Sequence, residues 1–362
     1  MKKPLEGQLG LFEAQATPSS APKPARRSKE LSAIPEADPR LIELATHVPK
    51  NVFMGASSWT FPGWQDFVYR RTYPSQQSFM KHSLEEYAHQ PLLQTVGIDR
   101  SYYGPIPAHE LAVYASQVPA RYRMTMKVWE ELTTLIPFPR GKAATAPDHP
   151  RMGAKANKEN PLFLDVATFA EHVALPVEEA FRPHLASYVI EVPPVSRVPD
   201  NTFFETRLER FLAETSMWGP FSIELRDARL FTQRYVDILK AYRASHCFNF
   251  WSRMPSIAKQ RERIRSFGVA ESGVLGPVVV ARLMLPPGRQ YSAQKEAFAP
   301  FDRIVVPQLK MREEVLDLAD ACVREALPLY IIVNNKAEGS APLTIEALAE
   351  LFREREQEKE KT

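Results

Sequence analysis

Six charged side chains sit in or just after short apolar runs, where chemistry is more plausible than packing. Asp99 follows Gln94–Ile98, Lys127 lies in Arg123–Val128, Glu191 in Tyr188–Val192 and Glu224 in Ser222–Leu225, with Arg226 two residues on and Arg282 in Val278–Leu283. A polar group in an apolar strand is costly unless it is paired. Glu224, Glu191 and Asp99 are therefore the candidate catalytic carboxylates, able to act as general acid or base. Lys127, Arg226 and Arg282 are the candidate anchors for an anion, because guanidinium groups fit phosphate and carboxylate in a bidentate way. Asn334 and Asn335 would orient a polar ligand, and Trp59 and Tyr103 would stack on a sugar or base. A plainer reading stays open for Glu224 and Arg226. They lie two apart, on one side of a strand, and could simply pair with each other. On the catalytic reading, alanine at Glu224 or Arg282 abolishes turnover without lowering stability.

Other chemistries find less support. None of the eight histidines falls at a predicted strand end, so no zinc cluster is expected. Asp99, Glu191 and Glu224 could hold Mg²⁺ or Mn²⁺ if they converge, but carboxylates beside Arg and Lys more often form ion pairs, so a divalent metal is not favoured. The cofactor is unknown. Cys247 and Cys322 are too few for a disulfide framework and read as buried packing residues.

The elements that must position the charged residues alternate. Strand-like runs are Val52–Ala56, Gln94–Ile98, Arg123–Val128, Tyr188–Val192, Ser222–Leu225, Cys247–Phe250, Val278–Leu283 and Leu329–Val333. Helical spacing covers Ser78–His89, Ala108–Gln117, Thr202–Glu214, Thr232–Tyr242, Ile257–Phe267 and a last helix from Thr344 to about Glu354. Pro107 stands at a helix start. Strands alternating with helices imply a parallel sheet. The fold class is α/β, a TIM-like (β/α) barrel of about eight parallel strands, with the candidate residues at the carboxyl ends of the strands. An open doubly wound sheet is disfavoured, because no Gly-rich phosphate loop follows the first strand. The barrel domain spans 47–356, between a disordered tail at 1–46 and a frayed end at 357–362.

Several segments together resemble the YecE-like family, domain of unknown function 72. They are Gly55–Trp64 (GASSWTFPGW), Thr95–Tyr103 (TVGIDRSYY), Met124–Lys127, Val189–Pro194, Ile223–Arg226, Ala281–Leu283 and Val333–Gly339 (VNNKAEG). The resemblance covers about residues 50–352 and implies a TIM-type barrel with a site but no named reaction. Family members usually carry Glu at the position of Gly97 and Asn at that of Asp99, and often Gln at that of Glu191. They commonly have His-Gly where Met284-Leu285-Pro286 stands. If the missing Glu is the catalytic one, this chain is inactive or uses Asp99 instead.

The 362-residue chain is 44% hydrophobic and 25% charged, with a formal net charge of +3 that does not mark a nucleic-acid binder. The segment after the third strand is basic, with Arg140, Lys142, Arg151, Lys155 and Lys158. No run is long enough to span a membrane and no apolar leader opens the chain, so the expected location is cytoplasmic. In the tail, Gln8, Leu9, Leu11 and Phe12 resemble the pentapeptide by which many bacterial proteins bind the DNA polymerase sliding clamp, with Leu and Phe as apolar anchors. Two function classes follow. One is a hydrolase or lyase acting on a phosphorylated small molecule or nucleic acid, in a DNA-maintenance setting. The other is a non-catalytic module that binds DNA or a polar ligand and docks on the clamp through residues 8–12.

Overall fold

The computed structural model describes residues 31–136, 159–195 and 201–361. The tail motif Gln8–Phe12 and the basic segment from Arg140 to Lys158 lie outside them. Nine assigned strands form one parallel sheet: β1 (Val52–Ala56), β2 (Thr95–Ile98), β3 (Met124–Lys127), β4 (Leu185–Val192), β5 (Phe221–Leu225), β6 (Ser245–His246), β7 (Phe248–Phe250), β8 (Val279–Leu283) and β9 (Leu329–Val333). The order is β6-β5-β4-β3-β2-β1-β9-β8-β7. The two ends of that order are one run of chain. β6 pairs with β5, β7 with β8, and the partner changes at Cys247. Cys247 N donates to Ile223 O, and Asn249 Nδ2 reaches Leu225 O at 2.7 Å. Eight runs thus close into the expected barrel, with helices around it.

Alternation along each strand separates two cores. Outward residues such as Ile190, Ile223, Leu283 and Ile331 pack under the helices. Inward residues Ala186, Val189, Cys247, Val278, Val280, Tyr330 and Ile332 form a separate apolar plug, with Phe53 packed against it. The plug fills the half of the barrel nearest the strand starts.

Differences from expectation lie mostly outside the strands. Pro39–Ala45 is a helix, within the stretch read as tail; Asp38 caps it, and Arg40 pairs with Glu346 at 2.6 Å. The last helix runs from Ala341 to Glu360, through the residues expected to fray. Tyr291–Phe298 is a helix for which no segment was predicted, and Leu309–Arg324 is a helix in which only the pattern around Cys322 was expected. Among the described residues no helix is long and apolar enough to cross a membrane.

Candidate functional site

Strand register brings the charges together. Glu191 on β4 lies directly beside Glu224 on β5. Two carboxylates side by side repel unless a cation intervenes. Arg226, one residue past β5, supplies it: one Nη2 lies 2.6 Å from Glu224 and 2.8 Å from Glu191. Glu191 also meets Lys127 Nζ at 2.8 Å. On the other side, Arg282 Nε lies 2.9 Å from Glu224, and its two terminal nitrogens grip Asp99 at 2.9 and 2.8 Å. The six groups form one chain of alternating sign, Asp99–Arg282–Glu224–Arg226–Glu191–Lys127, with no net charge.

The chain has a depth order. Glu224 and Arg282 are fully buried, whereas the side chains of Asp99 and Glu191 retain 12% and 14% exposure. Glu224 lies within ion-pairing distance of two guanidinium groups, yet neither approach is aligned as a hydrogen bond. Its charge is compensated while its lone pairs are poorly used. Burial pushes the Glu224 carboxyl up, beyond what Arg226 and Arg282 counteract, and the charge of Glu191 adds to the rise. Burial acts on Glu191 the same way, but there Arg226 and Lys127 win and hold it well below the usual carboxylate range. Arg282 is driven the opposite way to its burial by Asp99 and Glu224, so it stays charged.

Aromatic rings wall the upper side. Tyr102 lies 3.8 Å from the Lys127 ammonium, and Trp251, just past β7, lies 3.9 Å from the Arg226 guanidinium. Tyr103 is 41% exposed, and burial together with nearby Tyr291, Asp99 and Glu191 raises its hydroxyl. Of the predicted stacking pair, only Tyr103 opens to solvent. Trp59 is buried edge-on against Tyr114, a packing role that leaves no free face.

The two asparagines also part. Asn334 donates to Ser57 Oγ at 2.9 Å and accepts from Lys336 N at 3.1 Å and Lys336 Nζ at 3.3 Å. Asn335 turns away and accepts from Ala341 N at 2.8 Å, serving the start of the last helix. Lys336 itself was not among the predicted site residues. Burial brings its ammonium down to about 8, although Asp99 pulls the other way. Its signal in the sequence was only its place behind Asn334 and Asn335; the covering rings Tyr291 and Phe301 come from distant segments.

Two glycines shape this end. A Cβ on Gly55 would fall 1.7 Å from the Thr95 carbonyl oxygen, so β1 and β2 could not pair as closely with any other residue. A Cβ on Gly97 would stand 3.3 Å from Asp99 Oδ1. Asp99 thus places its carboxylate in the space beside position 97, where the resemblance leads one to expect an acidic side chain.

As for metals, the oxygens of Asp99, Glu191 and Glu224 are directed at arginine and lysine, and no group of three His, Cys, Asp or Glu among the described residues is placed to hold an ion. The cations are likewise committed. An anion entering here would have to compete with Glu191 for Lys127 and Arg226, and Arg282 lies below its reach. The expectation that alanine at Glu224 or Arg282 spares stability does not fit this burial. Removing one partner of a buried pair strands a charge, at about 3–5 kcal/mol.

Comparison with known proteins agrees with the architecture. A crystal structure of a DUF72 family protein from Enterococcus faecalis V583 matches at 17% identity with a TM-score of 0.51, over 83% of this chain and 94% of that one. A DUF72 family protein from Thermotoga maritima MSB8 matches at 13% identity with a TM-score of 0.49, over 83% of this chain and 99% of that one. No curated protein matches. Residues 53–362 match the family model described as "Protein of unknown function DUF72", so the chain belongs to the DUF72 family.

Proposed function

We propose that the barrel mouth is the active site of a hydrolase or lyase acting on a polar, phosphate-containing substrate. The observation that carries this reading is the pair Glu191 and Glu224, joined through one guanidinium and pushed in opposite directions. Carboxylates driven apart in this way are a common mark of a functional site. Their depths assign the roles. Glu191 is the one that retains exposure, and it stays ionised, suited to steer a proton or to stabilise developing positive charge. Glu224 acts from beneath as a positioning residue that holds Arg226 and Arg282. Asp99 is the second carboxylate at the mouth, with Tyr103 and Trp251 as flanking rings. The phosphate would exchange with Glu191 as the partner of Lys127 and Arg226.

The test is a heat-unfolding screen against phosphorylated sugars, nucleotides and short oligonucleotides, with each hit followed for turnover by mass spectrometry. The expected result is a compound that stabilises and is consumed by the wild type. Glu191→Gln should still unfold cooperatively, at a lower midpoint because Lys127 loses its carboxylate, and should lose at least about 10²-fold in turnover while folded. A panel with no hit, or equal turnover by Glu191→Gln, would sink the proposal.

A non-catalytic module that docks on the sliding clamp through Gln8, Leu9, Leu11 and Phe12 is the second reading. What favours it is the motif itself, with Leu and Phe as apolar anchors. A labelled peptide of residues 1–20 should bind the clamp and lose binding with Leu11→Ala and Phe12→Ala; no binding, or binding indifferent to both changes, removes this reading.

A further inference from the structure

We propose that Lys336 is a reactive amine, which receives a small aldehyde or ketone at the barrel mouth and holds it as an imine. This rests on the reading of the mouth as an active site and names a substrate class for it, a phosphate-bearing carbonyl compound. Two buried lysines at this end differ in their partners. Lys127 Nζ lies 2.8 Å from Glu191 and is held as an ammonium by that partner. Lys336 is equally covered, at 6% exposure, yet no carboxylate of the described residues lies within ion-pairing distance of it. Its amine faces the Tyr291 ring at 4.2 Å and the Phe301 ring at 6.0 Å. Its hydrogen-bond acceptor is a neutral amide oxygen, Asn334 Oδ1 at 3.3 Å.

Burial beside a neutral acceptor disfavours the charged form by more than the ring faces of Tyr291 and Phe301 favour it, and a desolvated lysine of this kind is a nucleophile rather than a counter-ion. Asp99, gripped by Arg282, is the nearby charge that acts on it. Its pull limits the loss of basicity, which fits the value of about 8.

The chemistry balances without an added oxidant or reductant. The neutral amine adds its lone pair to the carbonyl carbon, the C–N bond forms and the carbonyl π pair becomes an alkoxide. A proton passes from nitrogen to that oxygen to give a carbinolamine. The C–O bond then breaks, water leaves, and the nitrogen lone pair closes the imine. Tyr291, whose ring meets the Lys336 amine, would supply the proton with which the hydroxyl leaves as water, and the N–H proton lost in closing the imine would return to it.

The experiment uses the full-length protein and glycolaldehyde with cyanoborohydride, which reduces an imine to a stable secondary amine. A two-carbon carbonyl is chosen because Lys336 is so well covered. Labelling of each lysine is read by peptide mass mapping between pH 6 and 10. At pH 7 Lys336 should label on the order of tenfold or more faster than exposed Lys359, since each unit of lowered pKa raises the neutral fraction about tenfold. Its rate should reach half-maximum near pH 8. An unlabelled Lys336 beside labelled surface lysines would overturn the proposal. So would a Lys336 that labels at the rate and with the pH profile of Lys359. A ligand panel without a hit beside a fast Lys336 would count against the proposed substrate and leave the amine standing. A hit beside an inert Lys336 would remove the amine alone.

Discussion

The two halves of the barrel interior are built on opposite principles. Towards the strand starts, seven inward residues form an apolar plug, with Phe53 stacked on Tyr330 at 4.9 Å. Towards the strand ends, six charged side chains take the place of that apolar filling. The step is abrupt. On β8 it falls between Val280 and Arg282, and on β4 between Val189 and Glu191. Apolar filling is the cheaper way to close a barrel. Buried ion pairs return little net stability once desolvation is counted, and matched apolar replacements are often neutral or better. A protein that fills one half cheaply and the other expensively is maintaining the second for something other than stability. In barrels of this type the strand-end face is the one that carries chemistry.

The contrast can be broken at its strongest point first. Arg282→Met leaves Asp99 and Glu224 buried without their shared cation and should cost about 3–5 kcal/mol by urea unfolding. A loss below about 1 kcal/mol would mean that water or rearrangement compensates the layer. Lys336 offers a pH test of similar size. Its folded value, about 8, is below its ordinary 10.5, so between these the unfolded chain binds more protons and stability rises with pH. Relative to Lys336→Met, the wild type should gain up to about 3 kcal/mol from pH 7 to 10.5. A flat difference would show an ordinary lysine. In the plug, Ile332→Val should cost about 0.5–1.5 kcal/mol. At the rim, Tyr103→Ala should move stability by no more than about 0.5 kcal/mol while weakening any ligand found in the screen.

Much of this was legible in the sequence because strand patterns are local. Val52–Ala56 and Leu329–Val333 have the predicted bounds, and the charged residues that interrupt the apolar runs do gather at one end. Alternation also placed Glu224 and Arg226 on one side of β5, and their pairing, left open from the sequence, is present. What the residue order could not supply was depth. Glu191 and Glu224 look alike as letters, yet neighbouring strands leave one at the mouth and bury the other beneath it. Trp59 and Trp251 both follow strands, but only Trp251 covers an arginine of the site. Lys336 escaped notice for the same reason. Its cover is Tyr291, from a helix with no predicted counterpart, and Phe301, neither of them near it in sequence. Gly97 shows the reverse. The resemblance suggested a lost carboxylate, and packing shows Asp99 beside position 97.

The central claim is that the charged layer is kept for the mouth and not to hold the barrel together. Urea unfolding of the triple variant Asp99→Asn, Glu224→Gln, Arg282→Met tests it most directly, because the buried charges are removed together and none of these three is left stranded. The expected result is a folding free energy within about 1 kcal/mol of the wild type, far better than Arg282→Met alone. A triple variant as unstable as that single one, down by about 3–5 kcal/mol, would make the layer a structural staple and contradict the account.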